Sequence, residues 1–176
     1  VVPMKLTNRR LPNKNTKPLC DGTPLCSVIL NTLLSVKELD EAYVYCSNPE
    51  IQGFIPDGVK FLPRSASLDT DGTTMNDVLQ SFAHDVPADI YVLCHATAPF
   101  ISAESIQKGI HAVLEGGHDS AFAVRKIQEF LWQDGKPVNY DIEHIPRTQD
   151  LPGLFSETCG LYVYTNDLIA RQNRRI

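Results

Sequence analysis

Four basic side chains lie within ten residues near the start of the chain, at Lys5, Arg9, Arg10 and Lys14. The whole chain has a net charge of -5, so this positive charge is a local surplus. Ammonium and guanidinium groups, together with free backbone amides in a turn, can surround the oxygens of a polyphosphate. The spacing predicts an anion-binding loop, and a solvated basic loop is the alternative.

Two further segments carry polar groups that could contact a ligand. Thr73 and Thr74 precede a predicted helix, where a hydroxyl caps the helix and also lies where an anion would bind. Asp69, just before them, is typical of a turn. His95 follows an apolar run; imidazole donates and accepts hydrogen bonds and titrates near neutral pH, so a ligand contact and a structural role both stay open.

The elements that must position these residues alternate between strands and helices. Apolar or β-branched runs predict strands at 1–4, 42–46, 59–62, 89–94 and 120–124. Helices are predicted to begin at Thr23, Thr74 and Ser102. The pattern predicts an α/β fold, a three-layer α/β/α sandwich with a mostly parallel sheet, whose ligands bind beyond the carboxyl ends of the strands.

The later part of the chain departs from this alternation. Apolar residues on both sides of Asp134-Gly135 predict a β-hairpin, within a lobe at about 128–157. A late strand at 161–164 is predicted to precede a short basic helix. We therefore expect one domain over 1–176 with a hairpin excursion.

The composition is that of a folded chain, with 176 residues, 43% of them hydrophobic and 21% charged. No apolar run could span a bilayer, which excludes membrane insertion, and the net charge of -5 argues against nucleic acid and anionic membranes as partners. The five cysteines form no CxxC pair and lie in mostly apolar segments, which predicts buried thiols and a reducing, cytoplasmic location.

Several short motifs follow one another in a fixed order. They are Leu11-Pro12-Asn13-Lys14-Asn15, Leu62-Pro63 with Asp69-Thr70 and Gly72-Thr73-Thr74, Cys94–Phe100, Pro146–Pro152 and Gly160–Val163. Together they resemble the L-P-x-K-N, R-P…D-T-A-S-S, Q-P-T-S-P-L, P-R-Q-x-L-P and N-G-A-I-Y-I motifs of the acylneuraminate cytidylyltransferase family. The resemblance covers essentially the whole chain and implies a Rossmann-like nucleotidyltransferase fold.

The resemblance also implies an enzyme that transfers CMP from CTP to the anomeric hydroxyl of an acidic 3-deoxy-2-ulosonic sugar, releasing pyrophosphate, for cell-surface glycan synthesis. Cations must then neutralise the transferring and departing phosphates. Lys14 is expected to contact the α-phosphate, with Lys5 and Arg9 on the β and γ groups. Asn15 and backbone amides around Asn8 would supplement them.

The remaining site residues follow from the same resemblance. Backbone groups near Asp69, Thr73 and Thr74 would recognise cytosine, and His95 stands where the family usually has Gln. Arg147 is expected to hold the carboxylate of the sugar, unless it is a structural residue paired with Asp150 or Glu157. Gln149 and Tyr162 are weaker candidates for sugar contacts.

Three departures accompany the resemblance. The family's early Arg is Lys5, its N-G-A is Cys159-Gly160-Leu161, and the D-x-D motif that holds Mg²⁺ is absent before Ile176. We therefore expect a chain truncated at both ends, a Mg²⁺ cofactor whose aspartate ligands lie beyond it, and no metal ligand within it.

Three alternative functions, the identity of the acidic sugar and the assembly stay open at this point. The acidic sugar is undefined, and another sugar nucleotidyltransferase or a GT-A glycosyltransferase could share such a sheet. A non-catalytic nucleotide-binding or scaffold homologue is the alternative from another class. The resemblance implies a homodimer formed through the hairpin lobe.

Overall fold

The computed structural model of the protein describes residues 1–7 and 11–176. The predictions for Asn8, Arg9 and Arg10 therefore lie outside the described residues. The chain forms two compact units, one of residues 1–123 and 159–176 and the other of residues 124–158. The predicted lobe at about 128–157 falls within the second unit.

The first unit is organised by a mostly parallel sheet. Its strands are β1 (Val2–Met4), β2 (Ala42–Cys46), β3 (Val59–Pro63), β4 (Ile90–Cys94), β5 (Ser120–Ile127) and, numbered in chain order after two hairpin strands, β8 (Leu154–Thr165). Residues 124–127 of β5 and 154–158 of β8 are part of the second unit. β2 pairs in parallel with β1 and β3, and β8 lies between β4 and β5, antiparallel to β4. A hydrogen bond of 3.1 Å from the Cys94 amide to the Val1 carbonyl links β4 to β1. The predicted α/β class is confirmed, but the late strand begins at residue 154 rather than 161.

The helices begin where local hydrogen bonding allows. They are α1 (Leu25–Leu34), α2 (Met75–Asp85), α3 (Ala103–Leu114) and α4 (Asn166–Gln172). Thr74 caps α2 in a capping box with Asp77, and Ser102 caps α3, as predicted. The prediction for α1 is wrong by one residue, because Pro24 takes the cap position with extended backbone and Leu25 begins the helix.

Side chains that alternate along the strands separate two apolar cores, one on each face of the sheet. Val92 and Cys94 of β4 point into the core formed with α1 and α3. Tyr91 and Leu93, their neighbours, point into the core formed with α2 and α4. Helices therefore cover both faces, which is the predicted three-layer arrangement.

The second unit contains the predicted hairpin. Its strands, β6 (Trp132–Gln133) and β7 (Lys136–Pro137), are joined by Asp134 and Gly135, which have φ of 50° and 76°. Two successive left-handed residues are the geometry of a type I′ turn, for which Asp-Gly is the preferred pair.

The cysteines only partly follow the prediction of buried thiols. Cys26, Cys46 and Cys94 are buried, whereas Cys20 and Cys159 are exposed. The prediction is wrong for Cys20 and Cys159, because neither lies within a continuous run of apolar residues. Among the described residues, no helix has the length and apolar character to cross a membrane.

Candidate functional site

A cleft of about 210 Å³ opens at the carboxyl ends of β1 and β4, beside the start of α2. Six residues singled out from the sequence line it: Lys5, Lys14, Asn15, Thr73, Thr74 and His95. They come from three loops that are far apart in the chain, so the expected gathering of these loops at one edge of the sheet is confirmed.

The described residues on either side of Asn8–Arg10 in the basic loop are held by their own polar groups. Asn15 is only 5% exposed, and its Nδ2 donates to the Lys5 carbonyl at 3.1 Å, tying the two ends of the loop together. Asn13 adopts a left-handed φ of 55°, and its carbonyl accepts from the amides of Thr16 and Lys17. This turn presents Lys14 to the cleft.

Asp69 has a structural role that the sequence did not define. Its carboxylate accepts from the Arg64 guanidinium at 2.7 Å and from the Ser47 hydroxyl. Its backbone carbonyl accepts from Lys5 Nζ at 3.3 Å. Asp69 thus joins the ends of β2 and β3 to the basic loop, with its carboxylate engaged by protein groups.

Arg64 lines the cleft but was missed by the sequence analysis. Its side chain is 5% exposed, and its Nε has no hydrogen-bond partner among the described residues. A cation placed two residues after a predicted strand, between Leu62-Pro63 and Asp69-Thr70 of one motif, was the available signal.

The start of α2 faces the cleft with most of its hydroxyl groups engaged. Thr74 accepts from the Asp77 amide at 3.2 Å, while Thr73 and Thr70 share a hydrogen bond of 2.8 Å. The capping role predicted for this pair is therefore confirmed for Thr74. The positive end of the helix still favours an anion in the cleft.

His95 is held at the end of β4 as a neutral imidazole. Its amide donates to the Gly160 carbonyl at 3.3 Å, and Gly160 is closely packed, since a Cβ there would lie 2.9 Å from the Ala98 Cβ. Burial, and then the positive charges of Arg175 and Lys14, lower the pKa of His95 to about 4. The expectation that His95 titrates near neutral pH is wrong, because the sequence did not reveal this burial.

This lowered pKa predicts a pH-dependent stability. Between pH 6.5 and 4 the unfolded chain binds a proton at His95 and the folded chain does not, so stability falls as the pH falls. From pH 7.5 to pH 5 the wild type should lose about 2 kcal/mol more than His95→Gln. Urea unfolding of both proteins at the two pH values measures this difference, and equal losses would refute it.

The three candidate sugar contacts have different surroundings. Arg147 is exposed and forms two hydrogen bonds with Asp150, of 2.6 and 3.1 Å, which is the structural pairing named as its alternative. Gln149 is exposed in the short turn Thr148–Asp150 of the second unit. Tyr162 is 1% exposed within the core on the α2 and α4 face. Contacts of these residues with a sugar stay predictions.

The described residues do not offer a ready metal site. Within residues 1–7 and 11–176, no group of three or more His, Cys, Asp or Glu side chains could hold a metal ion. Asp69, the carboxylate nearest the basic loop, already binds Arg64 and Ser47. These residues therefore fit Mg²⁺ poorly.

Comparison with known proteins identifies the same group of enzymes as the motifs. The family model described as cytidylyltransferase matches residues 1–167. The chain is 29% identical over 175 residues to an N-acylneuraminate cytidylyltransferase of Oncorhynchus mykiss, matching 93% of this chain and 40% of that one. The chain therefore spans less than half the length of this curated relative.

Solved structures share the fold at lower sequence identity. A CMP:2-keto-3-deoxy-manno-octonic acid synthetase complexed with CTP superposes with a TM-score of 0.73 at 18% identity, covering 97% of this chain and 75% of the other. A 4-diphosphocytidyl-2C-methyl-D-erythritol synthase from Anaerococcus prevotii gives a TM-score of 0.66 at 14% identity, covering 98% and 72%. The Rossmann-like fold expected from the motifs is thereby confirmed.

Proposed function

Because the chain belongs to the cytidylyltransferase family, we propose that it transfers CMP from CTP to the anomeric hydroxyl of an acidic 3-deoxy-2-ulosonic sugar, releasing pyrophosphate. One observation carries this proposal: Lys5, Lys14 and the start of α2 converge on one cleft at the carboxyl ends of the strands. Such a convergence of positive groups suits a triphosphate.

The two lysines suit different parts of this reaction. Lys5 is anchored to the Asp69 carbonyl, so its charge is fixed at the end of β1 and can hold a phosphate in the ground state. No hydrogen bond of the Lys14 ammonium is recorded within the described residues, and its charge is available to the α-phosphate as negative charge redistributes there. Fixed cations of this kind lower the barrier by stabilising the transition state.

We assign His95 to the part of the cleft that would hold the acceptor sugar. A neutral imidazole adds no charge and can both donate and accept a hydrogen bond, as can the Gln that the family usually has. Its low pKa keeps it in this form throughout the neutral range. We assign it to a hydroxyl or amide of the ligand rather than to proton transfer.

Two of the similar proteins support the acidic sugar as acceptor. One relative acts on an N-acylneuraminate, and one structural neighbour is named for 2-keto-3-deoxy-manno-octonic acid. A second structural neighbour is named for a methylerythritol. A methylerythritol is therefore the acceptor to compare with the acidic sugars in an activity assay.

Mg²⁺ stays a prediction for the protein. Offsetting triphosphate charge is the chemistry that a divalent ion supplies when bound. Because the described carboxylates fit it poorly, every role assigned above is carried by residues of this chain.

Pyrophosphate release tests the proposal. With CTP and Mg²⁺, the full-length protein should release pyrophosphate with N-acetylneuraminate or 3-deoxy-manno-octulosonate, and not with 2-C-methyl-D-erythritol 4-phosphate. CTP should raise the melting temperature more than ATP, GTP or UTP at equal concentration, because a ligand of the folded state stabilises it by mass action. Specific CTP binding without release for any acceptor would favour the non-catalytic alternative.

We also propose a homodimer in the cytoplasm. The second unit exposes several large apolar side chains, among them Trp132, Ile145 and Phe155, which an interface would cover. A molar mass equal to that of one chain in light scattering would contradict the dimer. The unpaired thiols of Cys26, Cys46 and Cys94 support a reducing compartment.

A further inference from the structure

Arg175 has a fixed position and an unused hydrogen-bond donor. Its guanidinium carbon lies 4.7 Å from the centre of the Tyr162 ring, and its Nη1 donates to the Asn76 Oδ1 at 2.6 Å. Its Nε is buried and has no hydrogen-bond partner in the described part of the chain. The side chain is therefore held by stacking and one amide. Because Nε is closed to solvent, an incoming acceptor would meet the Nη groups.

The guanidinium of Arg175 lies close to the candidate site. Asn76 directly follows Met75, which lines the cleft at the start of α2. The positive charge of Arg175 also acts on His95, because it contributes to the lowered pKa of that residue. Arg175 itself does not line the cleft, but both neighbours place its guanidinium near residues that do.

Arg175 and the lysines approach His95 from opposite sides. Tyr162, under Arg175, belongs to β8 and pairs with Leu93 of β4. Lys5 follows β1, the strand linked to the other side of β4 through Val1 and Cys94. Lys5 and Lys14 thus serve the β1 side of the cleft, and a second anionic group would meet Arg175 on the β8 side.

The electrostatic state of Arg175 differs from that of Arg147. No salt bridge recorded within residues 1–7 and 11–176 involves Arg175, whereas Arg147 is neutralised by both oxygens of Asp150. A guanidinium without a carboxylate partner, half-buried on an aromatic ring, attracts an anion more strongly than one that is exposed and already paired.

We propose that Arg175 binds the carboxylate of the acidic acceptor sugar and so selects acids as substrates. This inference rests on the proposed function and assigns the carboxylate to Arg175 in place of Arg147. A carboxylate suits the position because its two oxygens match the fork of a guanidinium, and the phosphates of CTP have their cations on the β1 side.

The kinetic test compares Arg175→Gln with Arg171→Gln in the full-length protein. Arg171 is a matched control, since it is exposed and pairs with Asp167 one turn away on α4. With N-acetylneuraminate as the acceptor and saturating CTP, Arg175→Gln should raise the KM for the acid about tenfold or more, as expected for a lost charged hydrogen-bond pair. The KM for CTP should change less than about twofold, and Arg171→Gln should leave both unchanged.

Two further measurements separate binding from a structural role. The wild type should prefer N-acetylneuraminate to its uncharged methyl ester, and Arg175→Gln should lose this preference, which mere loss of packing on Tyr162 would not cause. Arg175→Lys keeps the charge and loses the planar fork, so it should raise the KM for the acid by a smaller factor. This variant also carries the test if Arg175→Gln does not fold.

Specific outcomes would overturn the proposal. They are an unchanged KM for the acid in both Arg175 variants, a raised KM for CTP alone, or loss of the acid preference in Arg147→Gln and not in Arg175→Gln. These outcomes can be measured only if the wild-type protein releases pyrophosphate. A wild type that releases no pyrophosphate with any acceptor instead contradicts the proposed function, and the inference fails with it.

Discussion

Replacing Lys14 by alanine in the full-length protein should lower kcat for pyrophosphate release by about 100-fold, while the affinity for CTP changes much less. The reason is that the Lys14 charge is aimed into the cleft by the turn after Asn13, so it acts on the charge that develops at the α-phosphate. A loss of this size corresponds to about 3 kcal/mol of transition-state stabilisation. Steady-state kinetics at saturating acceptor, with CTP affinity from calorimetry, measure both quantities.

Two variants make this prediction specific. Lys14→Arg should recover only part of the activity, because a wide planar fork does not replace a point charge at a fixed position. Lys17→Ala removes an equal charge three residues away, where the side chain is exposed, and should have wild-type turnover. Full activity in Lys14→Ala would remove the central residue of the proposed mechanism.

Replacing Asp69 by alanine should destabilise the fold by about 3 kcal/mol or more. The substitution leaves the buried Arg64 guanidinium without its carboxylate, and breaking a buried ion pair from one side costs far more than the pair itself contributes. It also removes the acceptor of the Ser47 hydroxyl, which links β2 to this loop. The free energy of unfolding in urea measures the loss.

The control for Asp69 is an ion pair at the surface. Glu41 pairs with Lys60, and both side chains are about half exposed, so Glu41→Gln should cost far less stability than Asp69→Ala. The double variant Arg64→Met with Asp69→Leu should recover much of the stability lost in Asp69→Ala, because no unpaired charge is left buried. Equal stability of Asp69→Ala and Glu41→Gln would show that the Arg64 pair contributes little.

The features predicted correctly from the sequence depend on neighbouring residues. The caps of α2 and α3 need only a hydroxyl and an amide three residues apart, and the Asp134-Gly135 turn needs only two left-handed residues. The gathering of three loops at one sheet edge follows from the mostly parallel sheet that the βα alternation indicates, because the carboxyl ends of parallel strands lie at one edge.

The features that were missed depend on contacts between distant segments. Arg64 matters because its partner Asp69 is also held by Ser47, which follows β2, and Arg175 matters because β8 and α2 lie beside it. The low pKa of His95 arises from burial and from the charges of Arg175, eighty residues later in the chain, and Lys14, eighty-one residues earlier. No pattern within a short window of sequence contains that information.

The link between β1 and β4 also bears on the order of folding. The hydrogen bond from Cys94 to Val1 joins residues 93 positions apart, a separation that makes closing the chain entropically costly and slow compared with forming a helix or a hairpin. The cleft lies on the ends of these two strands, so it cannot form from one local segment alone. The helices can form early in folding, whereas a nucleotide can recognise the chain only after its most distant segments have met.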